Sequence, residues 1–432
     1  MELIEWILED RNLTEAIKAV KSNKGAPGVD KMPVEKLDEY FREHGEEIKE
    51  SIRNKKYKPS PVRRVYIPKA NGKQRPLGIP TVVDRVIQQA VAQILMKGYE
   101  RYFSENSYGF RPGRSAQQAI EKALSYLNEG CKWVIYLDIE KYFDTVNHDR
   151  LISILRERIN DAPTLHLIRS FLRAGVMEDG LVSASEEGVP QGGPLSPVLS
   201  NVYLDKLDKE LESRGLRFVR YADDCNIFVK SEMAADRVMA SITDWLERKL
   251  RLKVNATKTK VVRPTKSNFL GFTFYKNGDG WKCMPTKASK AKLYAKTKEI
   301  LCRKKAAARK LGITFQQLNW LIRGWVNYFR IGGMKGFLEE YSAWMRHKVR
   351  VVILKQWKRP RTIYRNLEKL NRIVGCNFTR EDIYNVANSR LGWYRRSAGY
   401  VMSYALNPTV LGTKTKDRPG LVDPLGYYLR TT

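Results

Sequence analysis

At 432 residues, with 43% hydrophobic and 10% aromatic content, the chain is long enough for two or three domains with real cores and too apolar for disorder. Its net charge of +31, from 78 Lys+Arg against 47 Asp+Glu, calls for a polyanionic partner, with nucleic acid the foremost class. Five cysteines without ligand spacing and four scattered histidines argue against a disulfide framework, a zinc module or a His-based nuclease, and no uncharged run reaches membrane-spanning length. Reduced thiols in a cytoplasmic, nucleic-acid-associated protein without a membrane partner are expected. The acid-studded N-terminus does not read as a signal peptide.

The chain opens with a helical pattern, in which Asn12 and Glu15 read as a capping box and Ile17 and Val20 share a face. Val62 to Ile67 and Gln74 to Ile79 read as paired strands around an Asn71-Gly72 turn, with Lys69, Lys73 and Arg75 crowding the tip. A helix is expected from about Val83 to Leu95. Lys132 to Asp138 is an apolar strand ending in an acid. Val189 to Leu195 is a Gly/Pro loop, after which Ser196 and Pro197 read as the cap and first residue of a helix. Phe218 to Val229 holds two strand-forming runs around Ala222-Asp223-Asp224, a tight hairpin with acid at its tip. A helix over Val238–Leu250 carries Val238, Ile242, Trp245 and Leu246 on one side.

From about Trp281 the composition turns strongly basic: residues 281–361 contain 21 Lys/Arg and three acids. In the helix near Phe315, the residues Phe315, Leu318, Ile322, Trp325 and Phe329 recur at three- and four-residue steps and form a core stripe. Asn319, Arg323 and Asn327 fall on another face, with Arg330 beside them, suited to nucleic-acid backbone. Trp344, Lys348, Trp357, Lys358 and their basic neighbours extend that surface. Beyond about residue 361 the charge is mixed and the tail is rich in Gly, Pro and Thr.

Adjacent carboxylates repel unless a cation sits between them, so Asp223 and Asp224 read as a metal site within a basic surface. Nucleotidyl transfer needs two divalent ions about 3.5–4 Å apart, and hard ions prefer carboxylate oxygen. If the strand ending at Asp138 neighbours the acid hairpin, such a site is complete.

The motifs in order carry a resemblance. Tyr221-Ala222-Asp223-Asp224 looks like the signature of reverse transcriptases, and Tyr136–Asp144 like their first catalytic motif. Pro190–Pro197 and Phe269–Phe272 are similar to the intervening motif and the primer grip. Ser107–Pro112 and Leu318–Phe329 narrow the resemblance to group II intron-encoded reverse transcriptase/maturases, over residues 20 to 360. It implies an α+β right-hand polymerase: fingers and antiparallel palm in 1–278, helical thumb and maturase region in 279–360, and a basic DNA-binding segment in 361–432. With no His- and Cys-containing cluster, no endonuclease domain is expected, as in the bacterial class C members.

The resemblance further implies two Mg²⁺ ions on Asp138, Asp223 and Asp224, with Ile139 in the metal set, and dNTP substrates. Lys69 and Arg75 match residues that hold the triphosphate, Phe143 the steric gate against a ribose 2′-OH, and Gln191 a nucleotide contact near the sugar. Lys258 matches the lysine near the leaving pyrophosphate, with Lys260 close by as a rival. Nucleic-acid contacts are expected at Arg63, Arg111, Arg323, Asn327, Arg330 and Lys358. The implied partners are group II intron RNA, an RNA template with DNA primer, and target DNA. Other readings are a domesticated or CRISPR-associated reverse transcriptase, a splicing cofactor with little polymerase activity, an RNA-dependent RNA polymerase and a retron enzyme.

Overall fold

The computed structural model describes residues 2–68, 72, 74–178, 180–278 and 280–431. The fold class is α+β, and the chain divides into two compact units, Met1–Pro264 and Thr265–Thr432. Compactness thus puts the division before the expected 278/279 boundary, and residues 361–432 belong to the second unit.

The first unit is built on two four-stranded sheets. In one, Gln74–Ile79 pairs antiparallel with Val62–Pro68, which pairs parallel with Val176–Glu178, followed by Leu181–Ser183. The paired strands are those the sequence indicates. Lys69, with most of the turn at the hairpin tip, lies outside the described residues.

In the other sheet the order is Arg217–Tyr221, Asp224–Val229, Trp133–Leu137 and Lys260–Val262, all antiparallel. Asp224–Val229 and Trp133–Leu137 occupy the middle, and their aliphatic side chains are buried, as central strands covered by helices require. The helices Val82–Tyr99, Ser196–Ser213 and Glu232–Trp245 feed the same core through residues such as Ile87, Leu204 and Ile242. Burying aliphatic side chains of this size stabilises by about 1.5–3 kcal/mol each before entropy is counted.

Three local expectations need correction. Asn12 does not cap a helix: it lies inside Asp10–Ser22, buried, and its amide donates to the carbonyls of Ile7 at 2.8 Å and Ala90 at 3.1 Å. Ser196 does not cap its helix either, because Leu195 holds that position and the Ser196 hydroxyl donates to the Pro190 carbonyl at 2.6 Å. The helix expected from Val238 starts at Glu232, capped by Ser231, and turns π-helical over Leu246–Leu250.

The second unit has one hairpin, Phe272–Asn277 with Gly280–Pro285, and is otherwise helical among the described residues. Leu311–Phe329 buries Phe315, Leu318, Ile322 and Phe329, so the apolar stripe is core. Lys335–Trp357 packs on Trp393–Ala398, and the final helix Pro424–Thr431 packs on both Leu311–Phe329 and Lys335–Trp357. Those packings make residues 361–432 part of the same body. No helix among the described residues is long and apolar enough to cross a membrane.

Candidate active site

The acid hairpin turns between Tyr221 and Asp224, with Ala222 in the left-handed region at φ 57°. A non-glycine residue there is strained, so the surroundings must hold it. Arg220 does so from a fully buried position. Its Nη1 donates to the Ala222 carbonyl at 2.8 Å and to Asn201 Oδ1 at 3.2 Å, and its Nη2 donates to Ser107 Oγ at 2.8 Å. Nε and Nη2 also bond both oxygens of Asp208. Asn201 passes the link on by donating to the Gly109 carbonyl at 2.9 Å. Gly109 lies against the turn so closely that an added Cβ would stand 2.3 Å from the Ala222 nitrogen. The Ser107–Pro112 motif is therefore the floor beneath the acids.

Strand register brings the third acid to the turn. Leu137 pairs with Cys225, which sets Asp138 beside Asp224 at the ends of neighbouring central strands. Asp138 is anchored by its N–H to Thr259 Oγ1 at 3.2 Å and by its carbonyl, which accepts from the Asn255 N–H at 2.8 Å. Lys258 Nζ lies 3.1 Å from Asp138 Oδ2 and 3.3 Å from Oδ1. It is therefore Lys258, rather than Lys260, that meets the acids. Tyr136 donates its hydroxyl to Asp224 Oδ1 at 3.0 Å. Ile139 bridges to Val254 through the flanking Asp138 carbonyl and Glu140 N–H, which leaves its own carbonyl on the opposite edge.

Burial pushes the Asp223 carboxyl pKa up, with Asp138 adding to the rise and Arg75 opposing it. Burial, then the charges of Asp223 and Asp138, also push Asp224 up, against the Tyr136 hydrogen bond. These acids are held partly dry and mutually repelling, the condition in which a hard cation is favoured. No three His, Cys, Asp or Glu side chains among the described residues stand in ready metal-binding array. The Asp138 and Asp224 carboxylates face Lys258 and Tyr136 instead. The donor chemistry, carboxylates with a nearby main-chain carbonyl, still suits a divalent ion.

A second cluster lies in a cavity of about 450 Å³ lined by Phe143, Gln191, Pro76, Gly78 and Arg64. Phe143 is half-buried in the short helix Tyr142–Thr145, its ring edge-on to Tyr142 at 5.1 Å. The Gln191 carbonyl accepts from the Gly78 N–H at 2.7 Å, tying the Gly/Pro loop to the strand Gln74–Ile79. Arg75 is exposed on that same strand.

Residues 67–274 match the family described as reverse transcriptase (RNA-dependent DNA polymerase), and residues 290–371 match the group II intron, maturase-specific domain. Protein YkfC of Escherichia coli (strain K12) is 35% identical over 300 residues, covering 60% of this chain and 78% of the relative. The group II intron-encoded protein LtrA of Lactococcus lactis subsp. cremoris is 40% identical over 219 residues, covering 50% of this chain and 36% of the relative. The chain belongs to the group II intron-encoded reverse transcriptase/maturases.

The putative COX1/OXI3 intron 2 protein of Saccharomyces cerevisiae is 31% identical, over 60% of this chain and 29% of its own. The chain therefore spans about a third of the length of these two intron-encoded relatives. The matched first region is a reverse transcriptase domain, an RNA-directed DNA polymerase fold whose chemistry is nucleotidyl transfer.

Within this reverse transcriptase/maturase, the residues expected to touch nucleic acid divide. Arg111 does not present itself to a strand: it is buried, paired with Glu100 at 2.8 Å, and donates to the carbonyls of Ser104 and Ser107. Arg63 is half-buried and donates to the Pro27 carbonyl at 2.8 Å. Asn319 is buried too, donating to the Gly420 carbonyl and accepting from the Val422 N–H, so it staples the C-terminal segment. Asn327 accepts from the Tyr427 hydroxyl at 3.0 Å, and Arg323 lies 6.0 Å from the Tyr427 ring. Arg323, Arg330 and Lys358 are exposed.

The sequence reading missed Arg220, Asp208, Asn201 and Tyr136. Tyr136 alone had a signal, since strand alternation puts it on the face of Asp138.

Proposed function

We propose that this chain is an RNA-directed DNA polymerase that copies its group II intron RNA and also binds that RNA to assist splicing. The observation that carries the reading is the register between Trp133–Leu137 and Asp224–Val229, which sets Asp138 beside the Tyr221–Asp224 turn. Asp138 and Asp223 would hold divalent metal, two Mg²⁺ ions on this reading, with the Ile139 carbonyl alongside and Asp224 acting through its charge. Bound there, the metal would lower the pKa of the attacking 3′-hydroxyl and neutralise the leaving pyrophosphate.

The remaining roles belong to the chain's own side chains. Arg75, with Lys69, clamps the triphosphate of the incoming dNTP. Phe143 closes the space a ribose 2′-OH would need, and Gln191 shares that cavity near the sugar. Lys258 gives a proton to departing pyrophosphate, a role supported by its contact with Asp138. In the second unit, exposed Arg323, Arg330 and Lys358 suit the backbone of template–primer or intron RNA. Target DNA is the further partner, and a cytoplasmic, nucleic-acid-associated location follows from that role.

The test is primer extension on an RNA template with Mg²⁺, run beside intron RNA binding and splicing. Asp223→Ala should abolish DNA synthesis and leave RNA binding and assisted splicing in place. Loss of both in a folded variant would refute the division of labour.

A further inference from the structure

The helices Lys287–Ile300, Arg303–Ala308, Lys335–Trp357 and Trp393–Ala398 enclose a cavity of about 300 Å³ in the second unit. Three cations line it: Lys298, Arg303 and Lys348. No salt bridge joins any of them to a carboxylate among the described residues. Burial, then the charges of Arg303 and Lys298, push the Lys348 ammonium pKa down. Lys298 and Arg303 are exposed and Lys348 is half-buried; like charges gathered round one cavity repel, and an anionic guest would relieve them.

The fourth wall is aromatic. Tyr394 is 49% exposed, and Lys348 Nζ lies 4.8 Å from its ring centroid. His347 fixes that residue, with ring centroids 4.2 Å apart and Nε2 hydrogen-bonded to the Tyr394 carbonyl at 3.0 Å. A steadied, half-open ring beside convergent cations is the combination that takes a base and its phosphate together.

We infer that this cavity is a phosphate site for single-stranded RNA, with one phosphate on Lys298, Arg303 and Lys348 and the adjoining base against Tyr394. The inference rests on the reading of the chain as an RNA-binding polymerase and adds to it a discrete pocket within the second unit. The phosphate is either internal to the strand or its 5′ terminus.

The experiment measures binding of a labelled single-stranded RNA, with 5′-phosphate or 5′-hydroxyl, to the full chain over a salt series. Arg303→Gln/Lys348→Gln should weaken binding about 10-fold and flatten the log–log salt slope by about 0.7, the share of one phosphate on a single strand. Equal loss for both oligonucleotides assigns an internal phosphate, and loss confined to the phosphorylated one assigns the terminus. Wild-type affinity and slope in a variant with unchanged melting temperature would overturn the pocket. Failure of the wild-type chain to bind RNA at all would remove the functional reading itself. A second measurement needs no substitution: exposed Cys302 lines the cavity, so bound RNA should slow its alkylation several-fold relative to Cys376. Equal rates for Cys302 with and without saturating RNA would also overturn it.

Discussion

Arg220 grips Asp208 through two parallel hydrogen bonds, Nε to Oδ1 at 2.7 Å and Nη2 to Oδ2 at 2.6 Å, with both side chains sealed from solvent. The same guanidinium holds the carbonyl of Ala222, so the ion pair and the acid turn are one construction. Removing one partner of such a pair leaves an uncompensated buried charge, worth about 3–5 kcal/mol of destabilisation. Arg220→Ala should lose about that much in urea unfolding. Asp208→Leu combined with Arg220→Met should recover part of it, yet DNA synthesis should stay low because Ala222 is no longer held. Full polymerase activity in that double variant would show that the turn needs no strut.

Asp205 offers a pH test away from the acids of the turn. Its carboxyl is pushed up to about 6, first by burial and then by the charge of Asp208, and its Oδ1 is buried without a hydrogen-bond partner. A folded-state pKa above the unfolded value of about 3.9 favours the fold when the acid is protonated. That contribution is complete below about pH 4 and is lost as pH rises through 6. Asp205→Asn should therefore stabilise the chain at pH 7 by on the order of 1–3 kcal/mol, an advantage that shrinks toward pH 4. Chemical unfolding of both proteins at the two pH values checks the sign.

Phe143 shares its cavity with Gln191, and under the proposed function its ring is the steric gate. Phe143→Ala should admit ribonucleotides, raising rNTP incorporation relative to dNTP by about 10-fold or more, as loss of 1–3 kcal/mol of steric discrimination implies. Unchanged sugar selection in single-nucleotide extension would take the gate away from this residue.

Arg111 and Lys358 should respond differently to loss of charge. Arg111→Gln takes a buried guanidinium away from the Ser104 and Ser107 carbonyls and from Glu100, and should lower the melting temperature while leaving the salt dependence of RNA binding as it was. Lys358→Gln should spare stability and flatten the log–log slope by about 0.7–0.9, depending on the nucleic acid contacted. The reverse pattern would restore Arg111 as a contact residue.

Much of the site could be read from the chain because its chemistry is concentrated in short motifs. Asp138 stands at the end of an apolar strand, and Asp223 and Asp224 at the tip of an alternating hairpin, where few structural roles compete. What holds them was hidden for the opposite reason. Nothing local in Phe218-Val219-Arg220-Tyr221 marks the arginine as a strut, and its partners lie 12, 19 and 113 residues away. Arg111 failed likewise: inside a recognisable motif a cation invites assignment to nucleic acid, and only burial against Glu100 shows it to be a strut. The division of the chain was masked by composition, since basic character begins near Trp281 although compactness changes at Pro264.

The hydrogen bond from Gly78 to Gln191 makes two walls of one cavity mechanically continuous. Gly192 enforces the closeness: at φ 125° an added Cβ would stand 2.5 Å from the Gly78 oxygen. A single methyl group at that point would pry the walls apart. The width of that cavity is thus set by the spacing between two lengths of main chain more than a hundred residues apart.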